Sequence, residues 1–273
     1  MTELDDMSMT AAPPPLDVEG MTAAGGAAAQ VLSILRRRGM DPARAALTED
    51  RPDGTSEYQA EVYRQAWENS LRRAGHSEYI RFRLSDLDQE QYPEHLRKYI
   101  DAHVEARRQQ RAQRSLPPEQ RQHVRPKILN AILPGAVGAG KTAAAVAAAR
   151  YAVDQGLMAR LVTHSLYLSW LRPNGAPSGM TPAQVLEFYE RVDVLVLDEL
   201  CNEMDDYATT FVRTQTSDLI TARVNSGRPT LFTTNLNSAQ VTEILGERLA
   251  SRIGMRAVVL KMVGNDRRRP QSW

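Results

Sequence analysis

The stretch that decides the fold runs Ile128-Leu129-Asn130-Ala131-Ile132-Leu133-Pro134-Gly135-Ala136-Val137-Gly138-Ala139-Gly140-Lys141-Thr142. Its first half is a short apolar run, and its second half fits G-x-x-x-x-G-K-[ST]. An alanine-rich segment of helical composition, opening with Ala143, follows directly. A strand that turns through glycines into a helix is an anion cradle. The glycine backbone can curl until successive N–H groups point at one phosphate, and the helix N-terminus adds its partial positive charge. In this reading Gly135, Val137, Gly138, Ala139, Gly140, Lys141, Thr142 and Ala143 hold the phosphates of a nucleotide. Lys141 reaches the β- and γ-phosphates and Thr142 ligates Mg²⁺.

Outward from the loop, short apolar runs alternate with helical segments. Strands are predicted at 128–133, 160–163, 192–197, 230–233 and 258–263. Helices are predicted at 142–155, 166–171, 182–191, 205–224 and 238–253. Alternation at these lengths predicts an α/β fold, a five-stranded parallel sheet with helices on both faces. The small side chains of Ala143 through Ala149 suit a helix packed close against such a sheet.

Two further strand ends carry polar groups. Val192-Asp193-Val194-Leu195-Val196-Leu197-Asp198-Glu199 is a buried strand ending in an acid pair. Asp198 suits the Mg²⁺ shell, and Glu199 is placed to orient and deprotonate an attacking water. A whole strand-helix-strand-helix unit fits between the phosphate loop and this pair, so an extra strand is expected between the two motif strands in the sheet. Pro229-Thr230-Leu231-Phe232-Thr233-Thr234-Asn235 is a third such strand. Strand C-termini converge on the ligand crevice of a parallel sheet, so Asn235 can position the water beside Glu199. Taken alone, Asn235 reads as a turn residue. Arg248 and Arg252 lie four apart on one helix face, either an exposed basic pair or guanidinia that meet a neighbouring subunit's phosphate.

The first part of the chain is different. Residues 1–26 are acidic and then Ala/Pro/Gly-rich, which predicts a disordered tail. Residues 27–75 read as a small helical module whose clearest helix spans 56–74, with Tyr58, Val62, Ala66 or Trp67, and Leu71 at helical intervals. Its own core is small, so it is read as a partner-binding module. Residues 79–84 alternate and read as extended. A helix from Pro93 carries Leu96, Ile100 and Val104 on one face, then Arg107, Arg108, Arg111 and Arg114, either a solvated face or a nucleic-acid contact. The core itself is assigned to 76–273.

Composition sets limits. With Lys plus Arg at 34 against Asp plus Glu at 33, the chain is neither a polycationic coat protein nor an acidic tail protein. A single cysteine, Cys201, rules out an intramolecular disulfide and a cysteine-based zinc site. No secretory leader and no long apolar run is legible, so a cytoplasmic protein with no membrane partner is expected.

Taken together, the 135–142 loop, Asp198-Glu199, Thr233-Thr234-Asn235 and Gly246-Glu247-Arg248-Leu249-Ala250-Ser251-Arg252 resemble the AAA+ ATPases of the DnaC/DnaI helicase-loader group. The "TTN" and "GERLASR" elements are more specific than the phosphate-loop and acid motifs. The likeness runs from about 79 to 264, including Tyr79-Ile80-Arg81-Phe82-Arg83-Leu84-Ser85-Asp86-Leu87-Asp88. The resemblance implies a Mg²⁺-dependent ATPase that loads a replicative DNA helicase onto single-stranded DNA and self-assembles with ATP. It implies Asp198 and Glu199 as Walker B acids, Asn235 as sensor 1, and Arg252 as an arginine finger acting in trans, with Arg248 a second candidate. It implies helicase docking through 27–75 by position alone.

Only residues 253–273 follow Arg252, so a full helical lid is not expected, and sensor 2 is left unassigned with Arg267, Arg268 and Arg269 its candidates. Ala143-Ala144 departs from the His-Leu common in the group. Arg223 matches an arginine of these loaders and receives no role. An IstB-like transposition ATPase is the nearest alternative, although "GERLASR" departs from that group's "DRL" pattern. A nucleotide-gated adaptor with negligible turnover and a small-molecule kinase are the others. The histidines at 76, 95, 103, 123 and 164 lack metal-ligand spacing, Cys201 reads as a buried or half-buried filler, and Tyr167 and Trp170 read as core, with stacking on single-stranded DNA the alternative.

Overall fold

Five strands, β1 (Asn130–Pro134), β2 (Ala159–Thr163), β3 (Val194–Asp198), β4 (Thr230–Thr234) and β5 (Ala257–Val259), form one parallel sheet in the order β2-β3-β4-β1-β5. The expected extra strand between the two motif strands is β4, which carries Thr233 and leads into Asn235. The computed structural model describes residues 57–273 except 114, 115, 123, 178, 203–208, 264, 265 and 268–273. The expected tail at 1–26, the module's segments ahead of 57, and Arg268 and Arg269 lie outside the described residues. From Gln59 onward the described residues belong to one compact unit, while Glu57 and Tyr58 belong to another.

Side-chain alternation along the strands builds two cores. Val194 and Val196 of β3 enter the core on one face, and Leu195 and Leu197 enter the core on the other. The first face is covered by α1 (Glu57–Arg73), α2 (Pro93–Ala112) and α3 (Lys141–Asp154). The second is covered by α4 (His164–Trp170), α5 (Pro182–Arg191), α6 (Thr210–Asn225), α7 (Ser238–Leu245) and α8 (Glu247–Gly254). α3 is wedged between α2 and the sheet, and Ala143 through Ala149 are all buried. Larger side chains there would force the layers apart.

Several expectations are corrected. α1 is not part of a separate module ending at 75. Its Tyr63, Trp67 and Leu71 pack in the same core as Leu96, Ala131 and Leu161, and the N–H of Leu161 on edge strand β2 donates to Ser70 Oγ at 3.1 Å. The segment at 79–84 is not extended: short 3₁₀ turns at Ser77–Tyr79 and Leu84–Asp86 let Tyr79 and Phe82 meet edge-on at 5.6 Å. The helix expected over 238–253 is two helices, broken at Gly246. The last strand, expected over 258–263, spans Ala257–Val259; beyond it the Leu260 and Met262 N–H groups still donate to the Ile132 and Pro134 carbonyls, each at 2.8 Å, and Met262 bridges to Gly135.

The arginines of α2 are largely used internally. Arg107 pairs with Asp193 at 2.8 Å and Arg111 donates to the Gly156 carbonyl at 3.4 Å, while Arg108 is exposed. Tyr167 is fully buried and Trp170 stacks on Tyr189, so both serve the core. Arg223 is also internal. Its guanidinium donates to the carbonyls of Tyr189, Glu190, Val192 and Pro229 and to Thr230 Oγ1, tying together the chain segments that enter β3 and β4. Among the described residues no helix is long and apolar enough to cross a membrane.

Candidate nucleotide-binding site

The C-terminal ends of β1, β3 and β4 lie side by side, and each delivers its motif to the same edge of the sheet. The loop after β1 turns through Gly138, whose φ of 79° is left-handed, and α3 begins at Lys141 without a side-chain cap. The first-turn N–H groups of a helix have no partner within the helix, so an uncapped start leaves them for an anion. Lys141 Nζ donates to the Ala136 carbonyl at 2.8 Å and to Asn235 Oδ1. The ammonium is thereby held above the loop, and the ends of β1 and β4 are joined by it.

Asp198 is completely buried. Burial of an ionised carboxylate is costly unless donors surround it, and here they do. Thr142 Oγ1 lies 3.1 Å and 3.3 Å from its two oxygens, and Thr233 Oγ1 donates to Oδ1. His76 Nε2 lies 3.0 Å from Oδ2. The pKa of His76 is raised, chiefly by that hydrogen bond, with burial opposing. A Thr hydroxyl whose one proton is turned toward Asp198 faces the loop with its lone pairs. That donor set suits a hard cation which takes its remaining ligands from phosphates and water. Among the described residues no cluster of three His, Cys, Asp or Glu could hold a metal by itself.

Glu199 adopts φ 56°, a left-handed conformation uncommon for a residue with a side chain and costing of order 1–3 kcal/mol. The turn is clamped to β4: Glu199 N–H donates to Thr233 Oγ1 at 2.9 Å, Leu200 N–H to the Thr233 carbonyl at 2.8 Å, and Thr234 Oγ1 to the Leu200 carbonyl at 2.9 Å. Asn202, two residues past this clamp, accepts from Asn235 N–H at 3.0 Å. Glu199 lines a cavity of about 390 Å³ together with Ser165, Ser169, Arg172 and Asn202. Lys141 and Thr142 line a separate one of about 300 Å³ with Tyr79, Phe82, Gln91 and Arg267.

That second cavity has a wall the loop motif does not supply. Gln91 Nε2 donates to the Gly140 carbonyl at 3.1 Å, and Arg267 N–H donates to the Gly138 carbonyl at 3.0 Å. Arg267 also pairs with Asp88 and, at 3.1 Å, with Glu90. A Cβ at Gly138 would collide with Asp266, so the glycine is required by contact as well as by conformation.

Arg252 and Arg248 are elsewhere. Arg252 donates to Thr221 Oγ1 on α6, and the carbonyl of the next residue, Ile253, accepts from Asn130 Nδ2 at the start of β1. The phosphate loop leaves the other end of β1, about 13 Å away at 3.3 Å per residue. Arg248 is exposed on α8. Sequence reasoning therefore located Lys141, Thr142, Asp198, Glu199 and Asn235 at one end of the sheet. It missed His76 and Gln91, which flank the Tyr79–Asp88 stretch of the resemblance and carry no nucleotide motif of their own. The only local signal near His76 is Gly75, a helix stop.

A parallel sheet of this order, with a glycine loop entering α3, an acid pair after β3 and Thr-Thr-Asn closing β4, defines an ATP-binding P-loop protein of the AAA+ type. The chain belongs to the family of IstB-like ATP binding proteins, whose model matches residues 34–271. Over 126 residues it is 28% identical to the replicative helicase loader DnaC of Escherichia coli (strain K12), a match that takes in 46% of this chain and 50% of that protein. The chain thus spans about half the length of the curated relatives it matches. The crystal structure of the DnaC helicase loader superposes with a TM-score of 0.52 at 21% identity, over 68% of this chain and 99% of that one, and shares the fold.

Proposed function

We propose that this protein is a Mg²⁺-dependent ATPase whose nucleotide state switches its assembly, and that it loads a replicative DNA helicase onto single-stranded DNA. The observation that carries the ATPase half is the meeting of Lys141, Thr142, Asp198 and Asn235 at three adjacent strand ends. The loader half rests on the likeness to DnaC and on the "TTN" and "GERLASR" pattern.

In this reading the loop from Gly135 to Ala143 and the first turn of α3 bind the phosphates, and Lys141 neutralises the β- and γ-oxygens. Thr142 and Asp198 hold Mg²⁺, which when bound offsets charge on those phosphates. Glu199 takes a proton from the attacking water once its side chain turns from the Arg172 cavity toward Thr142. Asn235, tethered by Lys141 and Asn202, orients that water. Tyr79, Phe82 and Gln91 form the wall beside the phosphates, where the base is received. Arg252, near the start of β1 rather than its end, is suited to reach a neighbour's γ-phosphate and not its own. That arrangement makes turnover depend on assembly, so a slow ATPase stimulated by DNA is expected. Residues ahead of 57 dock the helicase in the cytoplasm.

The test is the solution mass of the protein mixed with its own cell's replicative helicase, with ATP and with Lys141→Ala as control. A defined complex that is lost on removing residues 1–56 supports the loader and its docking segment. The absence of any complex, with DNA-stimulated ATPase intact, refutes it. The second reading, an IstB-like transposition helper, draws on the match to the IstB-like ATP binding family and would then be tested by capture with a transposase.

A further inference from the structure

α1 ends in a turn that delivers one side chain to the acid of β3. Gly75 is left-handed, with φ 77°, and two backbone bonds close the helix: Gly75 N–H to the Arg72 carbonyl at 3.2 Å, and His76 N–H to the Leu71 carbonyl at 2.9 Å. This is the Schellman closure, which fixes the direction of the residue after the glycine. The ring of His76 is thereby turned inward, its side chain 18% exposed, with Nε2 on Asp198 Oδ2. Tyr79 packs against the ring with centroids 6.0 Å apart.

The donors around Asp198 are not equivalent. Oδ1 takes the Thr233 hydroxyl, which is itself fixed because it accepts from Glu199 N–H. Thr142 has one proton to give and is shared between the two oxygens. Among the described residues, His76 is therefore the one undivided donor to Oδ2. The imidazole presents Nε2–H to that oxygen whether or not Nδ1 is also protonated, so this role does not depend on a charge change.

We propose that His76 is a positioning residue for Asp198. By holding Oδ2 it fixes the carboxylate plane, keeps the Thr142 proton on the acid and leaves the Thr142 lone pairs aimed at the phosphate side. The end of α1, well ahead of the phosphate loop and the acid pair in the sequence, thus sets how well the site accepts Mg²⁺ with nucleotide. The inference rests on the reading of Thr142 and Asp198 as the Mg²⁺ pair.

The experiment titrates a fluorescent ATP analogue into the full chain across a Mg²⁺ series and in EDTA. His76→Ala should raise the Mg²⁺ concentration for half-maximal binding about tenfold, the loss of one hydrogen bond to a charged group. Affinity in EDTA should stay within twofold. His76→Gln, whose amide reaches about as far as Nε2, should recover most of the Mg²⁺ response. An equal loss of affinity with and without Mg²⁺, or no change in either, overturns the proposal. Asp198→Asn separates the two levels. If it alters the Mg²⁺ response and His76→Ala does not, the positioning role fails. If neither does, the reading of the metal pair fails first.

Discussion

Acidification from pH 7.5 to 5.0 should remove about 4 kcal/mol of folding stability through two buried histidines, His103 and His164. Burial depresses both pKa values from 6.5 to about 4, with the nearby Arg256 guanidinium adding to the effect at His103. The hydrogen bonds of His164 give an independent reason. Its Nδ1 accepts from Cys201 N–H at 3.3 Å, and its Nε2 lies 2.9 Å from Thr216 Oγ1, which itself donates to the Val212 carbonyl. A proton on Nδ1 would face the Cys201 N–H. The sign follows from linkage: between pH 6.5 and about 4 the unfolded chain binds a proton that the folded chain refuses, so stability falls as pH falls. With those two values, each histidine contributes about 2 kcal/mol at pH 5.0 and almost nothing at pH 7.5.

His76 has the opposite sign. Its raised pKa gives stability that is complete below about 6.5 and fades as pH rises through the folded value. The clean comparison is therefore the wild type against a His103→Gln/His164→Gln double variant, which keeps His76. Urea unfolding at both pH values should show the wild type losing about 4 kcal/mol more than the double variant, or roughly 8–16 °C in Tm for a chain of this size. Equal losses in the two proteins would refute the claim that these rings are held neutral.

Three more outcomes are expected. Glu199→Gln should bind nucleotide with near wild-type affinity while phosphate release falls at least about 100-fold; a fall in affinity of the same size would make Glu199 a binding residue instead. Arg252→Ala should lose turnover by about 1,000-fold or more and keep nucleotide, and mixing it with Lys141→Ala subunits should restore phosphate release, since each supplies what the other lacks. No recovery in the mixture would rule out action in trans. Arg223→Met should cost about 3 kcal/mol in urea unfolding, because the buried Tyr189 and Val192 carbonyls lose the guanidinium, those of Glu190 and Pro229 are left to Arg228 and the Leu195 N–H, and methionine supplies no donor. A loss under about 1 kcal/mol would mean that water replaces the guanidinium.

The parts legible in the sequence are those whose chemistry is local. Gly135 to Thr142 specifies a strand, a turn and a helix start within a few residues, and the turn geometry itself makes the anion cradle. The acid pair and Thr-Thr-Asn follow apolar strands whose C-terminal ends must meet in any parallel sheet, so Asp198 and Asn235 could be assigned to one crevice before strand order was known. The alanines of α3 announced a close approach because volume is a property of each residue. Tertiary structure decided what depends on partners far along the chain. Nothing near residue 76 marks a ligand of Asp198, since that contact exists only once α1 has packed on β2 and the sheet has brought β3 beneath its end. The arginines of α2 have a helical pattern that suits solvent or nucleic acid equally, and Asp193 and the Gly156 carbonyl settle the matter for Arg107 and Arg111. Arg223 reads as one basic residue among many until the strand entries close around its guanidinium. Spacing sets which way a side chain leaves its own backbone; what it meets there is set by the order in which the strands are assembled.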